Sequence, residues 1–414
     1  MASSRSSDEL DILTTEKLNV TLVSEVLWVG RVLPEHTKGC AWPLLKCLMS
    51  SSAPSDRAGF FSFTQDEDEL TLIMDDWCHR VFAEAAAVAP VAYAPRRWRA
   101  FELRLGALAW EVPGVVSFLS ALMSEANISI LKAASYDRDF LLVQESDVAS
   151  ATKLLQERLH LDVDGLKEAM HEKLAVRRSG NAFPLGEGEE GEEGDGDGAR
   201  GRGTAAALAG AEGGVGAHGD DGGSHGGTGA TAAGEGANGV QQVEAGELGD
   251  CRRLQLTEDV SNGLYVKVLP TLLVVVRLQL AMLPLSTHAL VKRLLFSGAR
   301  GRRSFWSYTH VDDEVSLIID EPSLADFPEE ALVGGSSTRW RPLKLAGRTF
   351  AFNETGVVSA MFAPYEDGVP LLNISTFSTN VTLVDESDLE RALSAFELPH
   401  QVVESDECEG EEGE

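Results

Sequence analysis

The chain holds side chains able to attack, transfer protons or bind metals, but their spacing keeps them apart. Cys78 and His79 are an adjacent thiol and imidazole. Neighbours on a strand or helix point in different directions, whereas a nucleophile needs its base within hydrogen-bond reach. The nine histidines (36, 79, 160, 171, 218, 225, 288, 310, 400) show no metal-ligand spacing, and the five cysteines (40, 47, 78, 251, 408) include no C-x-x-C pair. The acidic clusters Asp66-Glu67-Asp68 and Asp312-Asp313-Glu314 sit between apolar strands and read as solvated hairpin turns, not paired catalytic carboxylates. There is no Walker A loop, no G-x-G-x-x-G after a strand, no H-E-x-x-H and no G-x-S-x-G. The expectation is a protein that binds rather than converts, with no catalytic residue, cofactor or metal.

Charge narrows the partners. Of a net −30 over 414 residues, the stretch 186–250 carries 14 acids against 2 bases, net −12, and residues 404–414 carry seven acids and no base. The remaining chain is mildly acidic, and its basic runs, at Arg96, Arg97 and Arg99 and at Arg300, Arg302 and Arg303, are short. No cationic stripe is available for nucleic acid. The most apolar run, 268–276, is broken by Pro270, closed by Arg277, and about half the length a bilayer requires. Residues 1–13 lack an apolar signal core, so the expected compartment is the cytosol, with reduced thiols and no use for the Asn-x-Ser/Thr sequons at 19, 127, 353, 373 and 380.

The elements that must position any site emerge from an internal repeat. SFTQDEDELTLIMD (62–75) aligns with SYTHVDDEVSLIID (307–320), with seven identities in fourteen positions. Trp98-Arg99 aligns with Trp340-Arg341, Gly114-Val115-Val116-Ser117 with Gly356-Val357-Val358-Ser359, and SYDRDFLLVQESD (135–147) with TFSTNVTLVDESD (376–388). The chain is therefore two homologous halves, 17–176 and 255–400. The glycine-rich acidic stretch between them holds 23 of the 40 glycines within 186–250 and is expected to be disordered.

Within each half the hydrophobic period alternates between two and 3.6. The first half predicts strands at 18–23, 60–64, 69–74 and 98–105 with helices at 42–49 and 79–87. It then predicts strands near 108–110, at 128–134 and at 139–143, with helices at 115–124 and 148–159. Strand, helix, strand, strand, helix, strand is the βαββαβ form of ferredoxin-like α+β modules. The expected division is a disordered N-terminus 1–16, modules 17–107 and 108–176, linker 177–254, modules 255–350 and 351–400, and an acidic tail 401–414.

The segments GFFSFTQDEDELTLIMDD (59–76), ISILKAASYDRDFLLVQESD (128–147), FNETGVVSAMFAP (352–364) and NISTFSTNVTLVDESDL (373–389) resemble the CASTOR family of cytosolic arginine sensors, which are built from tandem ACT domains. The resemblance implies four ACT modules and an amino acid bound between the second and fourth. Carried over residue by residue, it implies Ser129 and Ile130 as contacts from the second module, Glu354, Gly356 and Val357 from the F-[ND]-E-x-G turn, and Thr376 and Phe377 where the ligand side chain is received. A carboxylate for the ammonium and backbone N–H groups at a glycine turn for the carboxylate suit a free amino acid. Where the family has an aspartate, this chain has Asn380, an acceptor without charge. Arginine is the ligand the resemblance implies, and Asn380 leaves a neutral amino acid, or none, open.

The resemblance also implies a protein partner, a GATOR-type complex acting on TOR signalling, contacted through Tyr136 and Asp139. Asp137 stands where the family has glutamine and Thr338 where it has an acid. A homodimer through the first and third modules is a further implication. The alternatives are a regulatory subunit of an amino-acid biosynthetic enzyme and a ligand-free ACT scaffold.

Overall fold

The structure is a computed structural model that describes residues 10–14, 19–49, 59–104, 114–159, 252–296, 305–312, 314–334, 338–362, 364 and 368–403. All belong to one compact unit. β1 (Leu10–Thr14) and β2 (Asn19–Leu22) open the chain. A first run follows: β3 (Trp28–Val32), α1 (Ala41–Leu48), β4 (Phe60–Gln65), β5 (Leu70–Met74), α2 (Asp76–Glu84) and β6 (Ala92–Tyr93). The second is β7 (Trp98–Arg104), α3 (Val115–Glu125), β8 (Ile130–Ala134), β9 (Asp139–Gln144) and α4 (Val148–Leu159). Beyond 251, β10 (Arg252–Arg253), α5 (Leu256–Ser261) and β11 (Tyr265–Val268) lead into the third run. It comprises β12 (Leu273–Leu278), α6 (Leu283–Val291), β13 (Trp306–Val311), β14 (Glu314–Asp320) and β15 (Leu332–Gly334). The fourth is β16 (Trp340–Ala346), β17 (Glu354–Thr355), α7 (Val357–Ala360), β18 (Leu371–Ser375), β19 (Asn380–Asp385), α8 (Leu389–Ala395) and β20 (His400–Val402).

The strand orders are those of α+β ferredoxin-like sheets: β4-β5-β3-β6, β8-β9-β7-β2, β13-β14-β12-β15 and β18-β19-β16-β11. The first and third runs fuse into one sheet through a six-residue antiparallel ladder between β4 and β13, from Trp306 opposite Gln65 to Val311 opposite Phe60. Side chains reinforce it. Ser62 meets Thr309 and Thr64 meets Ser307, each at 2.9 Å, and the Phe63 ring stacks on Tyr308 with centroids 5.5 Å apart. Such aromatic pairs add about 0.5–1.5 kcal/mol beyond the area they bury.

The layers follow from which face each strand buries. Phe61, Phe63, Leu72, Leu317 and Trp306 face α1, α2 and α6. Leu141 and Val143 of β9 face α3 and α4, while its alternate residues, Phe140 and Leu142, pack against Phe60 and Ile73 of the first run. Each half passes from one run to the next at an equivalent joint, Leu27 opposite Trp98, an isolated bridge between two sheets, and Leu273 opposite Trp340, which keeps the third and fourth runs in one continuous sheet.

Several expectations are corrected. Strands 19–22 and 98–104 do not close the first run; they pair with each other, and β7 pairs with β9. A strand buried on both faces, with Phe101 and Leu103 toward α3 and Trp98 and Ala100 toward the first run, needs the second run's helices to cover it. The same holds for β16, expected to end the third module but paired with β19. β3 and β6 were not foreseen. Residues 10–14, expected to be disordered, pair with β2, and Arg252–Arg253, assigned to the linker, pair with Glu354–Thr355. Gln401 and Val402, assigned to the tail, belong to β20, which pairs with β11. Leu254, also assigned to the linker, is buried and donates its N–H to the Thr355 carbonyl, while residues 177–251 of the linker, residues 404–414 of the tail and the strand expected near 108–110 lie outside the described residues.

Nor is the acidic turn 66–68 solvated throughout. Asp66 is 1% exposed, and the Lys344 ammonium sits 2.7 Å from Asp66 and 2.6 Å from Asp68. It joins the first run to the fourth as an ion cluster that is buried at Asp66 and Lys344 and open to solvent at Asp68.

Candidate ligand site

Strands β8 and β18 each form the edge of their sheet, and each occupies the place in its run's strand order that β4 and β13 occupy in theirs. β4 and β13 are zipped together; β8 and β18 pair only with their own neighbours among the described strands. The contacts across their gap run through side chains. The Lys132 N–H donates to Ser375 Oγ at 2.9 Å, Lys132 Nζ to the Asn373 carbonyl at 3.2 Å, and Ser129 Oγ to the Glu354 carbonyl at 3.0 Å.

Beside this gap is a cavity of about 30 Å³. Ser129, Ile130 and Leu131 line it from the second run. Phe350, Ala351, Phe352 and Glu354 line it from the loop after β16, Val357 and Val358 from α7, and residues 375–379 from the turn joining β18 to β19. That space corresponds to roughly two water molecules, each needing about 10–15 Å³ by the same measure.

The residues singled out from sequence distribute unevenly. Ser129, Ile130, Glu354, Val357, Thr376 and Phe377 line the cavity. Gly356 stands behind it as the left-handed residue (φ +88°) before α7, a conformation suited to glycine, matched by Gly114 (φ +93°) before α3. Asn380 does not line it. Its amide nitrogen donates to Asn373 Oδ1 and to Ser375 Oγ, both at 3.1 Å, within a buried polar set that includes Thr382 and Asn373. Asn380, expected from the resemblance to contact the ligand, thus stands behind Ser375, which does line the cavity.

Glu354 is also committed elsewhere. Its carboxylate takes the Arg348 guanidinium in a two-pronged contact, with Nη1 at 3.0 Å, and Arg252 lies 3.9 Å away. Arg348 and Arg252 both bridge to Asp259, itself 1% exposed. Burial works against the Arg348 charge, and Glu354 and Asp259 more than restore it, raising its pKa above the ordinary value. Two acids and two arginines therefore close on each other, and what Glu354 offers Ser129 is its backbone carbonyl.

The turn 376–379 is anchored to the first run. Phe377 N–H donates to Thr71 Oγ1 at 2.8 Å, and Ser378 donates to Glu69 from its N–H at 2.9 Å and its hydroxyl at 2.6 Å. Arg31 lies over the Phe377 ring at 5.2 Å. The other half repeats the device. The turn 135–138 reaches the third run, where Tyr136 N–H donates to Glu314, the repeat equivalent of Glu69, at 3.0 Å. Arg138 lies 3.2 Å from both Glu314 and Glu102. Burial, with the neighbouring Asp137, pushes the Glu314 carboxyl up to about 7, while its hydrogen bond holds Asp137 below the usual carboxylate range.

The residues assigned to a partner by resemblance thus have work inside the chain. The Tyr136 ring packs so close to Gly334 that a methyl group there would meet its hydroxyl, although Tyr136 remains 40% exposed. Asp139 pairs with Lys132 at 2.5 Å. Sequence reasoning missed Phe350, Phe352, Ser375, Ser378 and Thr379 on the wall and Arg348 behind it. The repeated strand-end pattern marked the turn, but the aromatic loop before Glu354 carried no periodic signal. Among the described residues no cluster of acids, histidines or cysteines could hold a metal, and no helix is long and apolar enough to cross a membrane.

Residues 93–157 and 335–397 each match the ACT domain family, and the chain carries ACT domains at both places. Similar curated proteins include the "Cytosolic arginine sensor for mTORC1 subunit 1" of Homo sapiens, 31% identical over 110 residues, which are 25% of this chain and 33% of that protein. The protein of the same name from Rattus norvegicus is 28% identical over 122 residues, 28% of this chain and 37% of that one. The chain spans about a third of the length of the curated relatives it matches. Among solved structures, aspartate kinase from Synechocystis aligns over 91% of this chain and 54% of its own at 8% identity, with a TM-score of 0.29, too low to decide anything.

Proposed function

We propose, from the premise of a chain carrying two ACT domains, that this protein is a non-enzymatic regulator that binds a free amino acid between its second and fourth runs. On this reading all four runs are ACT modules. The observation that carries it is the contrast between equivalent strand pairs: β4 and β13 are joined by a full ladder, whereas β8 and β18 leave a cavity bounded by hydroxyls, main chain and phenyl rings. An amino acid suits such a gap. Its ammonium and carboxylate would use the unpaired edges, Ser129 and the Gly356 turn, and its side chain would meet Thr376 and Phe377.

Occupancy would act on how the halves dock, because the cavity wall 376–379 is held from its other side by Glu69, Thr71 and Arg31 of the first run. A tenfold effect on a partner requires about 1.4 kcal/mol of coupling between the two sites. The relatives' names include arginine sensing for mTORC1, and a TOR-pathway partner of the GATOR type, met in the cytosol near the half-exposed Tyr136 by a homodimer, is the corresponding finer proposal.

The test is calorimetric titration of the whole protein with each of the twenty amino acids. At least one binds, and Ser129→Ala weakens that binding tenfold or more, since the hydroxyl tethers β8 to the Glu354 loop. Silence with all twenty would sink the reading.

A further inference from the structure

Resting on the reading of this cavity as an amino-acid site, we infer that its ligand is a neutral α-amino acid with an apolar side chain and that arginine and lysine are rejected. Every acid near the cavity already has its base. Glu354 is the one ionisable group on the wall, and both its oxygens face Arg348. Glu69 is shared by Ser378 and Arg31, and Asp139 is matched by the buried Lys132. Asn380, at the start of β19, is neutral, and its amide nitrogen is spent on Asn373 and Ser375. The α-ammonium common to all amino acids can use the main-chain carbonyls of the unpaired edges, but a second, side-chain cation buried without a partner is heavily disfavoured.

The phenyl rings do not rescue a cationic ligand. Arg348 already lies over Phe350 at 4.1 Å and Arg31 over Phe377 at 5.2 Å, so an entering guanidinium would join two of its own sign on rings already engaged. Phe352 packs edge-on against Phe377 and Trp98, extending an apolar surface. The small volume points the same way. The loop 350–354 must yield to admit any ligand, and a short apolar side chain demands least of it.

The experiment titrates the whole protein with L-valine, L-leucine and L-methionine against L-arginine and L-lysine, in the wild type and in Arg348→Met. In the wild type the tightest neutral amino acid binds at least a hundredfold more tightly than arginine. In Arg348→Met, which frees the Glu354 carboxylate, arginine affinity rises at least tenfold while that for the neutral ligand changes little. Arginine binding as tightly as every neutral amino acid in the wild type would overturn the inference and leave the sensor reading standing. Binding by none of the five and by none of the other fifteen would overturn both. An unchanged ratio of arginine to neutral affinity in a folded Arg348→Met would also overturn the inference, since the charge preference would then not come from that pair.

Discussion

Replacing Glu69 by alanine removes the acceptor that ties the fourth run's turn to the first. Glu69 is 3% exposed and receives the Ser378 N–H at 2.9 Å and hydroxyl at 2.6 Å, with Arg31 at 4.0 Å. Hydrogen bonds to a charged group contribute about 1.5–3 kcal/mol each, and the half-screened Arg31 contact adds little. The expected loss is therefore about 3–5 kcal/mol. With a urea slope of about 3 kcal/mol/M, the unfolding midpoint falls by roughly 1 M or more at constant slope. A double-mutant cycle with Ser378→Ala isolates the contact and returns a coupling of about 1 kcal/mol or more, because each single change already removes most of what the pair contributes. Amino-acid affinity falls as well, since the same turn forms the cavity wall. A midpoint within 0.2 M of wild type, or additive single effects, would refute the idea that this glutamate docks the halves.

Two further outcomes follow from the charges at the joints. Glu314 holds its proton up to about pH 7 when folded but ionises near 4.5 when unfolded, so stability falls as pH rises across that window, by roughly 3 kcal/mol at most. Glu314→Gln flattens that slope in urea titrations at pH 4.5 to 8; a wild-type slope unaltered in the variant would exclude this group as its source. Lys344→Met leaves Asp66 buried beside Asp68 without its ammonium and costs about 3–5 kcal/mol by thermal unfolding, whereas pairing it with Asp66→Leu recovers most of the loss. No recovery in the double variant would assign the loss to packing instead.

Much of this architecture is legible in the chain because local pattern and fold agree. The repeated G-V-V-S marks two helices that start after left-handed glycines, and α4 spans 148–159 as its periodicity predicts. β3 escaped because its centre is Gly30, a residue that weakens strands. It stands there because a side chain would strike Val91 and Tyr93 across the sheet. The assignment of strands 19–22 and 98–104 to the wrong run had another cause: alternation reveals which face is buried, but not which helices bury it. The site itself was partly readable. Motif positions brought six residues to one cavity, yet Asn380 and Glu354 look free in sequence and are satisfied by Asn373, Arg348 and Arg252, contacts formed only by the fold. The acidic turn 66–68 misled for the same reason, since Lys344 is 276 residues from Asp68.

Hydrogen exchange of the whole protein, with and without a saturating amino acid that binds, tests the central proposal most directly. Protection should rise in both 129–134 and 371–379, the two unzipped edges, while the β4–β13 ladder is unchanged. Protection confined to one of those edges, or appearing elsewhere in the chain, would contradict a ligand held between them.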